Sequence, residues 1–360
     1  MTRISRRRLL RSATTLGLGA AIAGCTQQAA TVAPAATLAE AEPTTATTSI
    51  APSAEATSAE ATTTPEPTAP AAAEAVEYGP EGVVLSEEVP EGAAYMAIVH
   101  GESPEAMVNR AIEALGGIGR FVQSGYDVII KPNICNPNYD NEYASTTNPE
   151  VVAALVKLCL GAGAGRVRVM DLPFEGTCDQ VYYRSGIQAA VEAAGGEMEV
   201  MAPHKYVEVP IPGGKDLRSW EFYQPVLDAD LVINVPIPKD HQLARLTLSA
   251  KNLMGVISTR GALHQNLNQR IAEIASVVRP ELTVMDAVRI LLANGPTGGN
   301  LSDVKQTNMI IASHDMVAID TYATSLFGLQ PSDIGYIAAS ARLGLGTSDL
   351  SQIEVQEIDV

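Results

Sequence analysis

Short apolar runs alternate with longer, capped segments along the last 270 or so residues of this 360-residue chain. That rhythm, more than any motif, limits the folds open to it. AYMAIVH, DVIIKPN, RVRVMD, EMEVM, ADLVINVP, LTVMDAV and NMIIAS have the length and the Val/Ile content of strands. Between them, SPEAMVNRAIEALGGIG opens on Ser103 and Pro104, and NPEVVAALVKLCLGAGA on Asn148 and Pro149. Each joins an N-cap residue to a proline in the first turn, and each closes on glycines. YRSGIQAAVEAAGG, LARLTLSAKNLMGVI, NQRIAEIASVV and DMVAIDTYATSLFG read as further helices, and DIGYIAASARLG and QIEVQEI finish the chain. The stretch from His204 to Gln224, with the only tryptophan, Trp220, is less regular. Alternation of this kind predicts an α/β fold, a mostly parallel sheet with helices on both faces.

Several of these strands run directly into polar residues. VII leads to Lys131 and Asn133, VRVM to Asp171, VINVPIP to Lys239 and His241, and LTVM to Asp286. In open parallel sheets ligands bind outside the carboxyl ends of the strands, where helix N-termini add N–H groups that favour anions. Lysines at that rim of an acidic protein point to a small anionic ligand such as a carboxylate or phosphate. Each residue also has a plainer reading. Lys131 and Lys239 could be solvated loop lysines, Asp171 and Asp286 turn or cap residues, and His241 and His264, 23 residues apart, surface histidines. Lys251 lies among Leu248, Leu253, Met254 and Val256, so it either snorkels outward or enters a partly buried pocket.

Other chemistries lack their patterns. There is no C-x-x-C among Cys25, Cys135, Cys159 and Cys178, no G-x-S-x-G and no H-E-x-x-H. NGPTGG, residues 294–299, lacks the Lys-Ser/Thr of a P-loop and reads as a loop over a site. Cys159 reads as a buried helix residue, and an oxidising compartment would allow a Cys135–Cys178 disulfide.

The beginning of the chain is of another kind. SRRRLLR, a modest apolar stretch and IAGC match a twin-arginine export signal ending in a lipobox, which predicts a signal over 1–24 and lipidation at Cys25. Ala13–Gly24 has about half the ~20 apolar residues needed to cross a bilayer. Residues 25–90 are rich in Ala, Thr, Pro and Glu and hold no Lys or Arg, the composition of a disordered tether. Of the formal net charge of −17, the signal carries +5 and the tether −10, which leaves −12 on the folding part, 91–360. That sign argues against nucleic acid as a partner. The expected place is outside the cytoplasm, held to the membrane by the lipid.

IKPN, TTNPEVV, VMD, NVPIPKDH, LSAKNLMG, His264, VMDAV, NGPTGG and ASHDMVAIDTYA, in that order over roughly residues 95–330, resemble the domain of unknown function 362 family. The resemblance implies that Lys131, Asn133, Lys239, His241, Lys251, Asn252, His264, Asp286 and Asp320 are its signature polar positions and share one pocket. Many members carry an appended cysteine-rich, ferredoxin-like segment, which this chain lacks. Three functions follow as expectations. In an enzyme, Lys239 and Lys251 would hold an acid group and His241 or His264 would move a proton. A non-catalytic solute-binding lipoprotein would use the same pocket. A redox or iron–sulfur-associated accessory role fits twin-arginine export. The cofactor is not specified by the sequence.

Overall fold

The computed structural model describes residues 92–360; the signal segment, Cys25 and the whole tether lie outside the described residues. Twelve strands and nine α-helices follow in chain order among them. They are β1 (Met96–His100), α1 (Pro104–Ala114), β2 (Asp127–Pro132), α2 (Pro149–Gly161), β3 (Arg166–Val169), α3 (Cys178–Arg184), α4 (Ile187–Ala193) and β4 (Glu197–Met198). Next come β5 (Tyr206–Pro210), β6 (Ser219–Tyr223), α5 (Gln224–Asp228), β7 (Leu231–Val235), β8 (Lys239–His241), β9 (Arg245–Thr247) and α6 (Ser249–Asn252). The last are α7 (Leu267–Val278), β10 (Leu282–Leu291), β11 (Val304–Ser313), α8 (Met316–Ala323), α9 (Gly335–Arg342) and β12 (Val355–Asp359).

The main sheet runs β12-β1-β11-β10-β7-β2-β3-β4. Every neighbouring pair is parallel except the two that involve β11. The expected α/β architecture is therefore the one found, with a single reversed strand. Caps hold the helices as anticipated: Ser103 Oγ accepts from Ala106 N at 3.3 Å, and Asn148 Oδ1 from Glu150 N at 2.9 Å.

Strand periodicity divides the core in two. On β2, Val128 and Ile130 pack with α1, α2 and α4, whereas Ile129 faces the side covered by α7, α8 and α9. On β10, Val284 and Val288 join the first cluster and Met285 and Ala287 the second. Each fully buried Val, Ile or Leu contributes about 1.5–3 kcal/mol, so this parity fixes which way every polar residue at the rim points. No described helix is long and apolar enough to cross a membrane.

Three local expectations change. YRSGIQAAVEAAGG is not one helix: α3 ends at Arg184 and α4 starts at Ile187, with Gly186 at φ 75°, a left-handed turn that an L side chain resists. LARLTLSAKNLMGVI is not one helix either. Arg245–Thr247 forms β9, hairpinned on β8, and only Ser249–Asn252 is α-helical before a 3₁₀ turn, Leu253–Val256. The irregular stretch from His204 to Gln224 contains a small antiparallel pair, β5 with β6.

Candidate functional site

At the carboxyl ends of β2 and β3 a cleft of about 440 Å³ opens, lined by side chains from β2, β8, α6 and the loops that follow β2, β3 and α6. Its floor follows from strand parity. Lys131 continues the face of Ile129, and its register partner on β7 is Asn234, which continues the face of Val232. Asn252 of α6 bridges this pair: its Oδ1 accepts from Lys131 Nζ at 2.9 Å, and its Nδ2 donates to Asn234 Oδ1 at 2.8 Å. Asn133, two residues beyond Lys131, donates from Nδ2 to the same Asn252 Oδ1 at 3.0 Å. Its own Oδ1 accepts from Lys239 Nζ at 2.9 Å. The second acceptor for Lys239 is the Ser145 carbonyl at 2.8 Å.

Lys131 and Lys239 are both 1% exposed. Lys131 Nζ meets the Pro132 carbonyl at 2.9 Å and Asp171 Oδ1 at 2.8 Å. Burial pushes the Lys131 amine down and the Asp171 carboxyl up, and their contact opposes both shifts. Asp171 Oδ2 also accepts the Ile134 N–H at 2.6 Å. The pair fits only because residue 255 is glycine, since a Cβ there would lie 1.8 Å from Asp171 Oδ1 and 2.7 Å from Lys131 Nζ.

Lys251 differs from its neighbours. It lines the cleft half-buried, and its Nζ makes no hydrogen bond or ion pair among the described residues. Burial, with Lys239, Arg260 and Lys131 nearby, lowers its amine to about 7. Arg260 closes one wall, donating to the Leu172 carbonyl at 3.0 Å and to the Pro173 carbonyl. Three lysines and one arginine thus line a cleft whose lining has a single carboxylate, Asp171.

His241 is fixed in an unexpected state. Its Nδ1 accepts from Leu243 N at 3.1 Å and Ala244 N at 3.2 Å, so a neutral ring carries its hydrogen on Nε2. Burial, with Lys251 and Lys239 beside it, lowers its pKa to about 3. The ring is a hydrogen-bond donor there, which removes the physical basis for giving it the proton-transfer role. His264 also lines the cleft.

Seven of the nine residues singled out therefore meet: Lys131, Asn133, Lys239, His241, Lys251, Asn252 and His264. Asp286 and Asp320 stand outside. Asp286 has the parity of Val284 and Val288, so it points to the other sheet face. There it accepts from Asn148 N at 2.7 Å and Val288 N at 3.1 Å. Asp320, on α8, accepts from Ser249 N at 2.7 Å and Ala250 N at 3.0 Å and so anchors the start of α6. Burial raises Asp286 to about 6 and Asp320 to about 7. Asn234, Cys135 and Arg260 were not assigned to the site from sequence. Asn234 alone carried a signal, a lone amide inside an apolar strand. Cys135 and Cys178 are free thiols, so the disulfide that an oxidising compartment would allow is not formed. Pro296 of the NGPTGG loop touches the cleft, and Gly295 N donates to Asp240 Oδ2 at 3.0 Å. Among the described residues no group of three or more His, Cys, Asp or Glu is placed to hold a metal ion.

Residues 128–325 match the family model described as Domain of unknown function (DUF362), which is more than half of the chain. A curated relative, the thylakoid-associated protein sll1697 of Synechocystis sp., is 29% identical over 249 residues, 67% of this chain and 75% of that protein. Two solved structures are distantly similar. One is the lactate racemase apoprotein from Thermoanaerobacterium thermosaccharolyticum, at TM-score 0.43 and 13% identity, over 65% of this chain and 57% of that one. The other is a Thermotoga maritima protein, at TM-score 0.34 and 10% identity, over 67% of this chain and 60% of that one. The chain spans less than two thirds of either solved protein.

Proposed function

The chain belongs to the DUF362 family, and from that premise we propose that it is an exported, lipid-anchored protein whose cleft takes a small anionic ligand and acts on it as an enzyme. The observation that carries this reading is the charge imbalance of the cleft: Lys131, Lys239, Lys251 and Arg260 face Asp171 as the one carboxylate of its lining. Buried cations ordinarily come with partners, and an anionic ligand would supply the missing ones. The ligand's acid group sits against Lys251 and Arg260, with the His241 Nε2–H as a neutral donor. Asn133 and Asn252 orient the lysines. His264 is the second imidazole of the cleft lining and takes the proton-transfer role in this reading. Asp286 and Asp320 hold backbone and do not touch the ligand. Export and the lipid anchor at Cys25 rest on the amino-terminal sequence. The thylakoid association in the relative's name is compatible with a membrane-held protein.

A second reading, capture of a solute without turnover, is favoured by the fixed neutral state of His241, since a binder needs donors and no proton carrier. Calorimetry with inorganic phosphate and small carboxylates tests the shared premise. Wild type binds at least one of them, and Lys251→Ala weakens that binding by about tenfold or more, equivalent to ~1.4 kcal/mol, without unfolding. Equal affinity in the two proteins removes the cleft as the site.

A further inference from the structure

Three amines reach this cleft, and only one is idle. Lys131 Nζ has three oxygen acceptors: Asp171, Asn252 and the Pro132 carbonyl. Lys239 Nζ has two, Asn133 and the Ser145 carbonyl, and lies against the Cys135 thiol. Lys251 Nζ has none among the described residues, although its helix is firmly placed. Asp320 takes the two N–H groups that open α6, and Asn252 ties the end of α6 to β2 and β7. The backbone under Lys251 is thus held by its neighbours, and its side chain projects into a space already served by two ammonium groups and a guanidinium. A lysine kept for structure would have an acceptor; a lysine kept only for charge would be redundant beside the other three.

We propose that Lys251 forms an imine with the carbonyl carbon of a small oxo acid, whose carboxylate is bound by the cations around it. This deepens the anion-binding reading above and rests on it. The unprotonated amine adds to the carbonyl carbon, and the C=O π pair moves onto oxygen, which is protonated to give a carbinolamine. The C–O bond then breaks and the oxygen leaves as water with both hydrogens of the amine, giving a neutral imine. One further proton on nitrogen gives the iminium. No oxidant or reductant is consumed. The His241 Nε2–H and the Lys239 ammonium are the donors available to the carbonyl oxygen as charge develops on it.

The surroundings suit the amine. The charged or titratable groups beside Lys251 are Lys131 on β2, Cys135 after it, Lys239 and His241 on β8, and Arg260 in the loop after α6, and Asp171 and His264 line the same cleft. Desolvation and the three cations lower the amine to about 7. At pH 7 about half of it is unprotonated, against less than about one part in a thousand for an ordinary lysine of pKa ~10.4.

The test is reductive trapping. The purified chain is incubated with glyoxylate and cyanoborohydride across pH 5.5–10, and adducts are mapped by peptide mass spectrometry. Glyoxylate protection against thermal unfolding is recorded in parallel. The expected result is one predominant adduct, on Lys251, formed at least about a hundredfold faster at pH 7 than on any surface lysine. Its formation should rise to half of maximum near pH 7. Lys251→Arg, which keeps the charge and loses the nucleophile, should abolish it with the circular dichroism unchanged. An adduct spread over many lysines, or one requiring pH above about 9, overturns the proposal. Protection by glyoxylate without an adduct also overturns it, while leaving the anion-binding cleft intact. Neither protection nor adduct sinks both readings.

Discussion

Strand β2 starts in one buried charged cluster and ends in another, and the two are balanced differently. At its beginning Arg168, 4% exposed, donates to Asp127 at 3.0 and 2.7 Å and to Glu199 Oε2 at 2.5 Å. Glu199 also takes Lys205 at 2.9 Å and the Tyr223 hydroxyl at 2.8 Å. Two cations meet two carboxylates. Burial would lower the Arg168 guanidinium and raise the Glu199 carboxyl, but the bonds between them win and both stay charged. At the other end, Lys131, Lys239, Lys251 and Arg260 share Asp171, and all three amines fall below the usual lysine range because desolvation is not met by enough opposite charge. The first cluster is complete as built. The second carries more cationic groups than its one carboxylate can match, and the proposed anionic ligand rests on that difference.

The sharpest way to break this contrast is to remove the hub of the balanced cluster. Arg168→Met leaves Asp127 and Glu199 without their shared guanidinium and should cost about 3–5 kcal/mol, the usual penalty for taking one partner from a buried pair. Urea denaturation monitored by circular dichroism measures it. A loss below about 1 kcal/mol would mean that water reaches these carboxylates and that the cluster is a surface feature.

A smaller effect is expected where the cleft depends on close approach. Gly255→Ala places a methyl group 1.8 Å from Asp171 Oδ1, which must move and take the Lys131 contact with it. The expected destabilisation is about 1–3 kcal/mol, with loss of anion binding. Gly261 also lines the cleft, but a Cβ there meets nothing within 4 Å, so Gly261→Ala should stay within about 0.5 kcal/mol of wild type. Equal effects at the two glycines would deny the Lys131–Asp171 pair its tight fit.

The same contrast explains how much was readable beforehand. Alternation of strands and helices announced the sheet, and polar residues at strand ends announced the rim. Period two could also have sorted them. Lys131 and Asn133 share the parity of Ile129, which faces the cleft side, while Asp286 shares that of Val284 and Val288, which does not. Asp286 was read by its position along the strand and not by its face, and so was wrongly grouped with the lysines. Asp320 misled for a different reason. A carboxylate on an apolar helix signals burial, but only the fold reveals that its partners are the N–H groups of Ser249 and Ala250. The segment around Lys251 looked helical because Leu, Ala and Lys favour helices. The β8–β9 hairpin outcompeted that propensity over Arg245–Thr247, a tertiary pairing invisible to local composition. Arg260 gave no signal, because its donors go to the Leu172 and Pro173 carbonyls, about 90 residues away in sequence.

The smallest effect carries the most pointed sign. Lys251 has a folded pKa of about 7, below the ordinary 10.5 that it regains on unfolding. Between those values the unfolded chain holds a proton that the folded chain has released, so stability rises with pH across that window; below about pH 7 the burden of burying the ammonium is fully present. Lys251→Met should therefore flatten the rise from pH 7 to 10.5 and, at pH 6, stabilise the unliganded protein by about 1 kcal/mol, since it replaces an unmatched cation with an apolar chain of similar length. Urea midpoints at pH 6 and pH 9 read both quantities. The direction is opposite to that expected for Arg168→Met, although each substitution deletes a positive charge near one end of β2. Should Lys251→Met destabilise at pH 6 as Arg168→Met does, the amine has a protein partner after all, and the cleft is as self-sufficient as the cluster at the other end of β2.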